Sequence, residues 1–396
     1  MGTDLSKRKM QYRTRQQGDF PANRNLRLVK DIDFKYGENP NQQAACYVLD
    51  TLRTAANQTT IDYVRDDQKG KGGLSLTNMM DITRAMDVLK FFDNPAWVIM
   101  KHAIVSGFAT RAGADRSSDE LFRLARNADL RSNFGGTLVS NEALDRDTAE
   151  AMYERDGFFV DVVAMPAYEE GVVGYLQKAS KNIRIAEVSG LGRLPRFVGD
   201  ETFGLQSFKE LPGGRLAVQD VYLTGIRSVE DLVMHPMVVD KKGLEHEVRR
   251  ACTPREAQDV LTAWYLNIAG ARSNGIVLVK DGVSVAMGSG QVERVGAVEQ
   301  AIVKGVHKAM DREGIPYDPL MGIAQMDKLE YNPLDGAVCS SDAFFPFRDS
   351  IDTLARIGVA AVVQPFGSMR DAMVIDAANE HGLAMPAADY RCFGHW

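Results

Sequence analysis

The sequence predicts an α/β protein, and three observations carry that prediction. Short apolar runs alternate with stretches of helical periodicity along most of the chain. Trp97-Val98-Ile99-Met100 is an unbroken apolar run of the kind found in strands covered on both faces. Both halves hold strand–helix–strand units of similar size, which points to two related lobes, although no sequence repeat is demonstrable by inspection.

Residues 1 to about 30 read as a basic arm of undefined order. Residues 34–49 carry a Gly37-Glu38-Asn39-Pro40 turn and then a short apolar strand. Residues 67–73 read as a flexible loop. A helix is expected over 74–92, where Met79, Ile82, Met86, Leu89 and Phe92 recur at helical spacing; Asn78 or Asp81 serves as its cap, and Pro95 follows its end. The Trp97 strand runs into Lys101-His102, and residues 103–109 read as a short loop containing Gly107. Next come a helix over 118–127 capped by Ser117 or Ser118, a glycine turn at Phe134-Gly135-Gly136 feeding a strand, and a helix over 145–155. A strand at 159–165, a helix at 169–179 and a strand at 183–188 complete the first half. Residues 189–220, rich in Gly and polar residues, read as the connection between lobes.

The second half begins with a helix over 255–266. A hairpin then joins 275–280 to 283–287 around Asp281-Gly282. The glycine loop Gly288-Ser289-Gly290-Gln291 leads into a long helix over 295–313. A stretch at 337–342 precedes the aromatic segment Ala343-Phe344-Phe345-Pro346-Phe347-Arg348-Asp349. A helix at 350–356, a strand at 360–364, a turn at 365–368 and a helix at 371–381 follow. The division expected is a basic arm at 1–33, a first lobe at 34–200 and a second lobe at 201–396.

The chain of 396 residues is 45% hydrophobic and 25% charged, ordinary composition for a globular protein. Its 47 basic and 53 acidic residues give a net charge of −6, which argues against a general nucleic-acid binder. No apolar run approaches the length that spans a membrane, and the basic, polar N-terminus is not a secretory signal. Cys46, Cys252, Cys339 and Cys392 are far apart and form no CxxC pair, which fits reduced thiols in a cytoplasmic protein. The six histidines include no HExxH, so no metal site is expected.

Four stretches are candidates for chemistry. Lys101-His102 sets an ammonium beside an imidazole at the end of a buried strand, where open α/β sheets place their sites. A histidine there accepts a proton near neutral pH, and the ammonium holds an oxyanion; a bare Lys-His pair is nonetheless more often structural. The glycine loop at 288–291 has backbone amides suited to an anion, but a plain turn explains it as well. The aromatics of 344–347, bracketed by Asp342 and Asp349, suit either a heteroaromatic ring or a hydrophobic core. Arg391, with Phe393 and His395, suits a phosphate or belongs to a frayed tail.

Taken in order, these stretches resemble one family. Lys35-Tyr36-Gly37-Glu38-Asn39-Pro40-Asn41-Gln42, Leu74-Ser75-Leu76-Thr77-Asn78, Lys101-His102 and Ser132-Asn133-Phe134-Gly135-Gly136 are followed by Arg272-Ser273-Asn274 and Gly288-Ser289-Gly290-Gln291 with Arg294. The segment 341–349, Gly367-Ser368, and Arg391 with Phe393 complete a collinear set. It is similar to the transformylase part of the bifunctional purine-biosynthesis enzyme that formylates 5-aminoimidazole-4-carboxamide ribonucleotide (AICAR).

The resemblance implies an α/β fold of two cytidine-deaminase-like lobes with mixed sheets flanked by helices, and a homodimer with its active sites at the subunit interface. It implies a formyl transfer from 10-formyltetrahydrofolate to the 5-amino group of AICAR. His102 would act as base, Lys101 would assist, and Asn274 would hold the reacting groups. Lys35, Tyr36, Arg294, Arg391 and Phe393, with Phe134 and Gly135, would bind the nucleotide. Phe344, Asp349, Phe366, Gly290 and Gln291 would face the folate. A monovalent cation in the second lobe is also allowed by the resemblance, with ligands the sequence does not place.

Four departures qualify it. The family's cyclohydrolase domain of nearly 200 residues is replaced by about 33, so the chain is expected to stop at the formylated nucleotide. Lys35 stands where the family usually has Arg, which turns a bidentate fork into a point charge. Ile104 and Val105 replace a polar residue and a proline, so that loop is expected to be apolar and freer. Phe366 replaces a small residue, and Trp396 extends the tail. These changes leave open a different formyl donor, or a catalytically silent AICAR-binding sensor or partner subunit.

Overall fold

A computed structural model describes residues 2–14, 18, 20–52, 59–64, 73–111, 113–154 and 158–395. The loop expected at 67–72, the expected helix end at Arg155 and the tail residue Trp396 lie outside these residues.

The α/β expectation holds: one mixed sheet of ten strands forms the centre, with helices on both faces. Its strands, numbered along the chain, are β1 (Thr60–Tyr63), β2 (Ala96–Lys101), β3 (Ile104–Thr110), β4 (Gly136–Ser140), β5 (Val160–Met165), β6 (Arg184–Ser189), β7 (Ile276–Lys280), β8 (Val283–Gly288), β9 (Val338–Ser341) and β10 (Ala361–Val363). The order across the sheet is β10-β9-β7-β8-β3-β2-β4-β5-β6-β1. The helices are α1 (Leu76–Leu89), α2 (Ser118–Ala128), α3 (Arg146–Ala151), α4 (Val172–Ala179), α5 (Pro254–Gly270), α6 (Arg294–Glu313), α7 (Asp349–Arg356) and α8 (Asp371–Glu380).

The order of elements repeats. The run α1-β2-β3-α2-β4-α3-β5-α4 is matched by α5-β7-β8-α6-β9-α7-β10-α8. The pairings repeat as well: β2 is antiparallel to β3 and β4, and β4 is parallel to β5, just as β7 is antiparallel to β8 and β9, and β9 is parallel to β10. The equivalent strands β3 and β8 meet antiparallel at Ala109 and Val283, which relates the halves by an approximate twofold axis. A short sequence echo follows from this superposition. Ser75 and Thr253 cap α1 and α5, Asn78 and Glu256 close their capping boxes, and Asp81 and Asp259 lie six residues after each cap. Ser75, rather than Asn78 or Asp81, is therefore the cap of α1.

Those two aspartates do the same work. Asp81 is buried and accepts the Ala103 amide at 2.7 Å. Asp259 is buried and accepts the Asp281 and Gly282 amides at 2.9 and 2.7 Å. Each carboxylate thus fastens the tight turn of the hairpin that follows. Both central residues of each turn have positive φ: 57° and 58° at His102 and Ala103, 53° and 74° at Asp281 and Gly282. This is the type I′ geometry that suits hairpin twist and favours glycine. The second half uses Asp-Gly; the first imposes the same conformation on two residues with side chains.

Several expectations change here. Residues 103–109 are not a loop: β3 starts at Ile104, and Lys101 pairs with Ile104 and Met100 with Val105. The β-branched pair Ile104-Val105 therefore makes the segment a fixed strand rather than a freer loop. Gly107 is needed there because a Cβ would lie 2.0 Å from the Ala125 carbonyl of α2. The connection at 189–220 contains a six-pair hairpin, Gln206–Leu211 with Arg215–Asp220. The N-terminal arm has defined structure: Thr3–Asp4 pairs with Pro236–Val239, Arg8–Tyr12 is a 3-10 turn, and Leu28–Asp33 pairs with Ala45–Leu49.

On one face of the sheet α1 and α5 pack against each other around Met86, Val88, Trp264 and Leu266, so a single core serves both halves. On the other face the halves have separate cores, one around Phe122 and Leu138, the other around Ile302 and Leu354.

If the first-half turn is strained as described, Ala103→Gly raises stability by about 1 kcal/mol and Gly282→Ala lowers it by about as much. Urea denaturation of the two variants reads both signs; a less stable Ala103→Gly protein would contradict the assignment.

Candidate functional site

Lys101 ends β2 and His102 opens the turn, so the sheet itself delivers both side chains to its edge. The Lys101 ammonium donates to the Phe134 carbonyl at 2.6 Å, which ties the strand end to the Phe134-Gly135 loop. Gly135, at φ 71°, donates its amide to the Phe159 carbonyl at 2.6 Å, and the Phe134 ring is half exposed against Phe159. His102 is exposed, and no hydrogen bond joins its imidazole to another described residue. Burial pushes the Asp81 carboxyl beneath it upward, while the Ala103 amide and the charge of His102 pull it back.

His102 opens onto a cleft of about 320 Å³ shared with Glu38, Asp81 and Arg272. Glu38 arrives on the segment of Lys35 and Tyr36, whose backbones lie against Leu74 and Leu76 at the start of α1. Lys35 is exposed, 5.9 Å from the Tyr36 ring centre. Arg272 is fixed through its backbone, since its amide donates to the Ser289 hydroxyl at 2.8 Å and its carbonyl accepts Gly290 at 2.9 Å. Its guanidinium has no hydrogen-bond partner among the described residues, so it is a free cation beside the imidazole. Arg272 is a site residue not expected from the sequence; its place in the Arg-Ser-Asn motif is the available signal.

Beyond Arg272 a closed polar network begins. The Asn274 amide donates to the carbonyls of Gln291 and Val292 at 2.8 and 3.0 Å, and its oxygen accepts Arg294 at 2.7 Å. Arg294 also donates to the Ser341 hydroxyl and to Asp342, at 2.7 and 2.6 Å. Arg294 and Asp342 are a buried ion pair, 8% and 2% exposed at their side chains. Ser273 donates to the other Asp342 oxygen at 2.6 Å and accepts the Gly394 amide at 3.0 Å. Asn274, Arg294 and Gln291 are thus engaged with one another, and Gly290 with Arg272. The glycine loop spends its Ser289 and Gly290 amides internally, on Gln300 and Arg272.

The tail is not frayed. Cys392 donates its amide to the Asp342 carbonyl, and Arg391 lies 4.5 Å from the Phe393 ring centre. The aromatic segment divides: Phe345 is core, Phe347 is exposed beneath Arg370, and Phe344 is half buried. Phe344 meets a residue from the arm, Tyr12, edge to face at 5.6 Å. The Tyr12 ring is also 5.2 Å from the Arg391 guanidinium, and its hydroxyl donates to the Phe366 carbonyl at 3.3 Å. Arg8 donates to the carbonyls of Pro365 and Ala388. Phe366, expected to face a ligand, is wholly buried with φ 61°, so only its backbone is presented to this region. Asp349 is exposed at the first turn of α7, where it accepts the Ser350 amide at 2.7 Å. Contacts among the described residues bring Phe344, Phe366, Arg391 and Phe393 into one group, through Tyr12, and Lys101, His102 and Phe134 into another.

What is assembled is an α/β enzyme scaffold with an exposed imidazole on a tight turn, an arginine without a hydrogen-bond partner in the same cleft and a second ring-lined region in the other half. Residues 6–304 match the model of the AICARFT/IMPCHase bienzyme family, and the chain belongs to that family. The family's work is one-carbon transfer and ring closure in purine biosynthesis. Among the described residues no helix is long and apolar enough to cross a membrane.

Removing the cation of the buried pair, as in Arg294→Met, leaves Asp342 uncompensated and is expected to cost about 3–5 kcal/mol by urea denaturation. A pH test is available at Asp371, which accepts the Gly367 amide at 2.8 Å below the Phe366 turn. Burial raises its carboxyl to about 6, against the pull of the Gly367 and Ser368 amides. The neutral acid is favoured in the fold, so its contribution is full below about pH 4 and lost as pH rises through about 6. Relative to Asp371→Asn, the wild type is expected to lose about 2–3 kcal/mol between pH 4 and 7.

Proposed function

We propose that the chain is an AICAR transformylase that takes its formyl group from 10-formyltetrahydrofolate and releases formyl-AICAR, leaving ring closure to another active site. The observation that carries this is the free His102 imidazole on its tight turn, beside the unpaired Arg272 guanidinium, in a member of this family.

The chemistry asks for such an arrangement. The 5-amino group is attached to an electron-poor imidazole and is a weak nucleophile. Attack on the formyl carbon forms a tetrahedral oxyanion and places a proton in excess on the amine. His102 takes that proton; collapse of the intermediate breaks the bond to N10 of the folate, and the proton goes to that leaving nitrogen. Lys101, or Arg272 across the cleft, neutralises the oxyanion. Lys35, Tyr36 and Arg391 bind the nucleotide in this reading, and Phe344 and Asp349 face the folate. This reading includes a homodimer with its active sites at the subunit interface.

One observation favours a second reading with a different formyl donor: Tyr12 packs on Phe344, and the Phe366 ring is buried.

Purified protein with AICAR and 10-formyltetrahydrofolate is expected to release tetrahydrofolate, and His102→Ala to lower kcat by about 10²–10⁴-fold with the fold intact. Turnover no greater than in His102→Ala sinks the proposal. Calorimetric binding of AICAR without folate-dependent turnover shifts it to the other donor.

A further inference from the structure

A second cavity opens behind the same hairpin turn, on the side of α2 and α6, and the proposed reaction leaves it unexplained. It holds about 260 Å³, and Lys101, His102, Asp129, Ser132, Lys304 and Lys308 line it. Lys304 and Lys308 are four residues apart on α6, so they share one face of that helix, an arrangement that destabilises a helix unless the charge is met. One of them is met: the Lys308 ammonium is 3.1 Å from Asp129, both side chains being only 11% exposed. Asp129 is held as the anion. Burial opposes its charge, but Lys308 and the Ser132 amide, at 2.8 Å, keep it below its ordinary value. Lys101 has a single partner, a neutral carbonyl, which leaves two of its three N–H donors. Lys304 has no hydrogen-bond or ion-pair partner among the described residues. Three ammonium groups therefore face one carboxylate, Asp129, and the described lining residues include no second anion.

We propose that this cavity is an anion-binding subsite, in which Lys304 holds a phosphate or carboxylate group of a ligand whose reactive end reaches His102. The inference rests on His102 as the reaction centre, and it adds Lys304, which the sequence motifs do not contain. A phosphate and a carboxylate present the same oxygen acceptors to ammonium donors, so the two sources, the nucleotide's phosphate and a carboxylate tail of the formyl donor, are separated by experiment.

The direct probes are inorganic phosphate and glutarate, titrated calorimetrically into the full chain. Lys304→Gln is expected to weaken binding of at least one by about tenfold, and Lys304→Arg, which keeps the charge, to restore it. Lys304 is exposed, so circular dichroism of both variants is expected to match the wild type. In the formylation assay, a tenfold higher KM for AICAR with an unchanged donor KM assigns the phosphate; the reverse assigns the carboxylate. If neither probe binds the wild type, or both bind Lys304→Gln as tightly as wild type, the subsite is overturned. Absence of formyl transfer with phosphate binding still dependent on Lys304 overturns the proposed reaction and leaves the subsite standing.

Discussion

A buried carboxylate under a tight turn is the constraint on which the rest of this structure depends. An aspartate six residues into the leading helix of each half accepts amide hydrogens from the hairpin that follows. The bond joins elements that the sheet order alone does not fix: helix position, strand end and turn conformation. A desolvated carboxylate is costly unless its lone pairs are used, so the helix and the turn hold each other in place. The hairpins in turn set β3 against β8, the seam along which the two halves form one sheet.

The two copies of this device have diverged in a chemically instructive way. In the second half the turn is Asp281-Gly282, the residue pair a type I′ turn prefers, and its surroundings close it. Arg255 bridges Asp259 and Asp281, and Arg116 donates to the Asp281 carbonyl at 2.8 Å. In the first half the turn is His102-Ala103, neither residue suited to positive φ, and the imidazole is left open. Strain at one copy and relief at the other is the pattern expected where backbone energy is spent on presenting a side chain. This argues that the Lys-His pair is functional more strongly than the dipeptide itself does.

Much of the fold was legible because it is locally encoded. The helices announce themselves by periodicity and by Ser or Thr caps, and the second hairpin by Asp-Gly. The first hairpin was missed because His-Ala carries no turn signal, so β3 read as a loop. The arm was missed for a different reason. Arg8 reaches a carbonyl 357 residues away and Tyr12 a ring more than 300 residues away, and no local pattern encodes such contacts. Of the site, the motif residues were legible as a set. What each does was not: Arg294 and Asn274 look like ligand contacts in sequence but are bound to each other, and Arg294 to Asp342, while Arg272 and Lys304 look unremarkable and have no side-chain partner among the described residues.

The same contacts move the question of the formyl donor. In sequence, Ile104 and Val105 are where the chain leaves its family's pattern, and the loop behind His102 was the suspect. In the fold these residues are strand. Val105 is buried against Gly270, where a Cβ would come within 2.7 Å of it. The two residues therefore act on how α5 packs beneath the turn, and they also line the cavity behind it. The region where ligand and protein would compete is the other one. Tyr12 lies between Phe344 and Arg391, its ring where a Gly367 side chain would have to sit, at 2.6 Å. An aromatic ring stacked by the chain's own arm occupies the contacts a flat heterocycle would use. In the proposed reaction, access to Phe344 thus depends on how tightly residues 8–12 hold to the second half, where Arg8 donates to two backbone carbonyls.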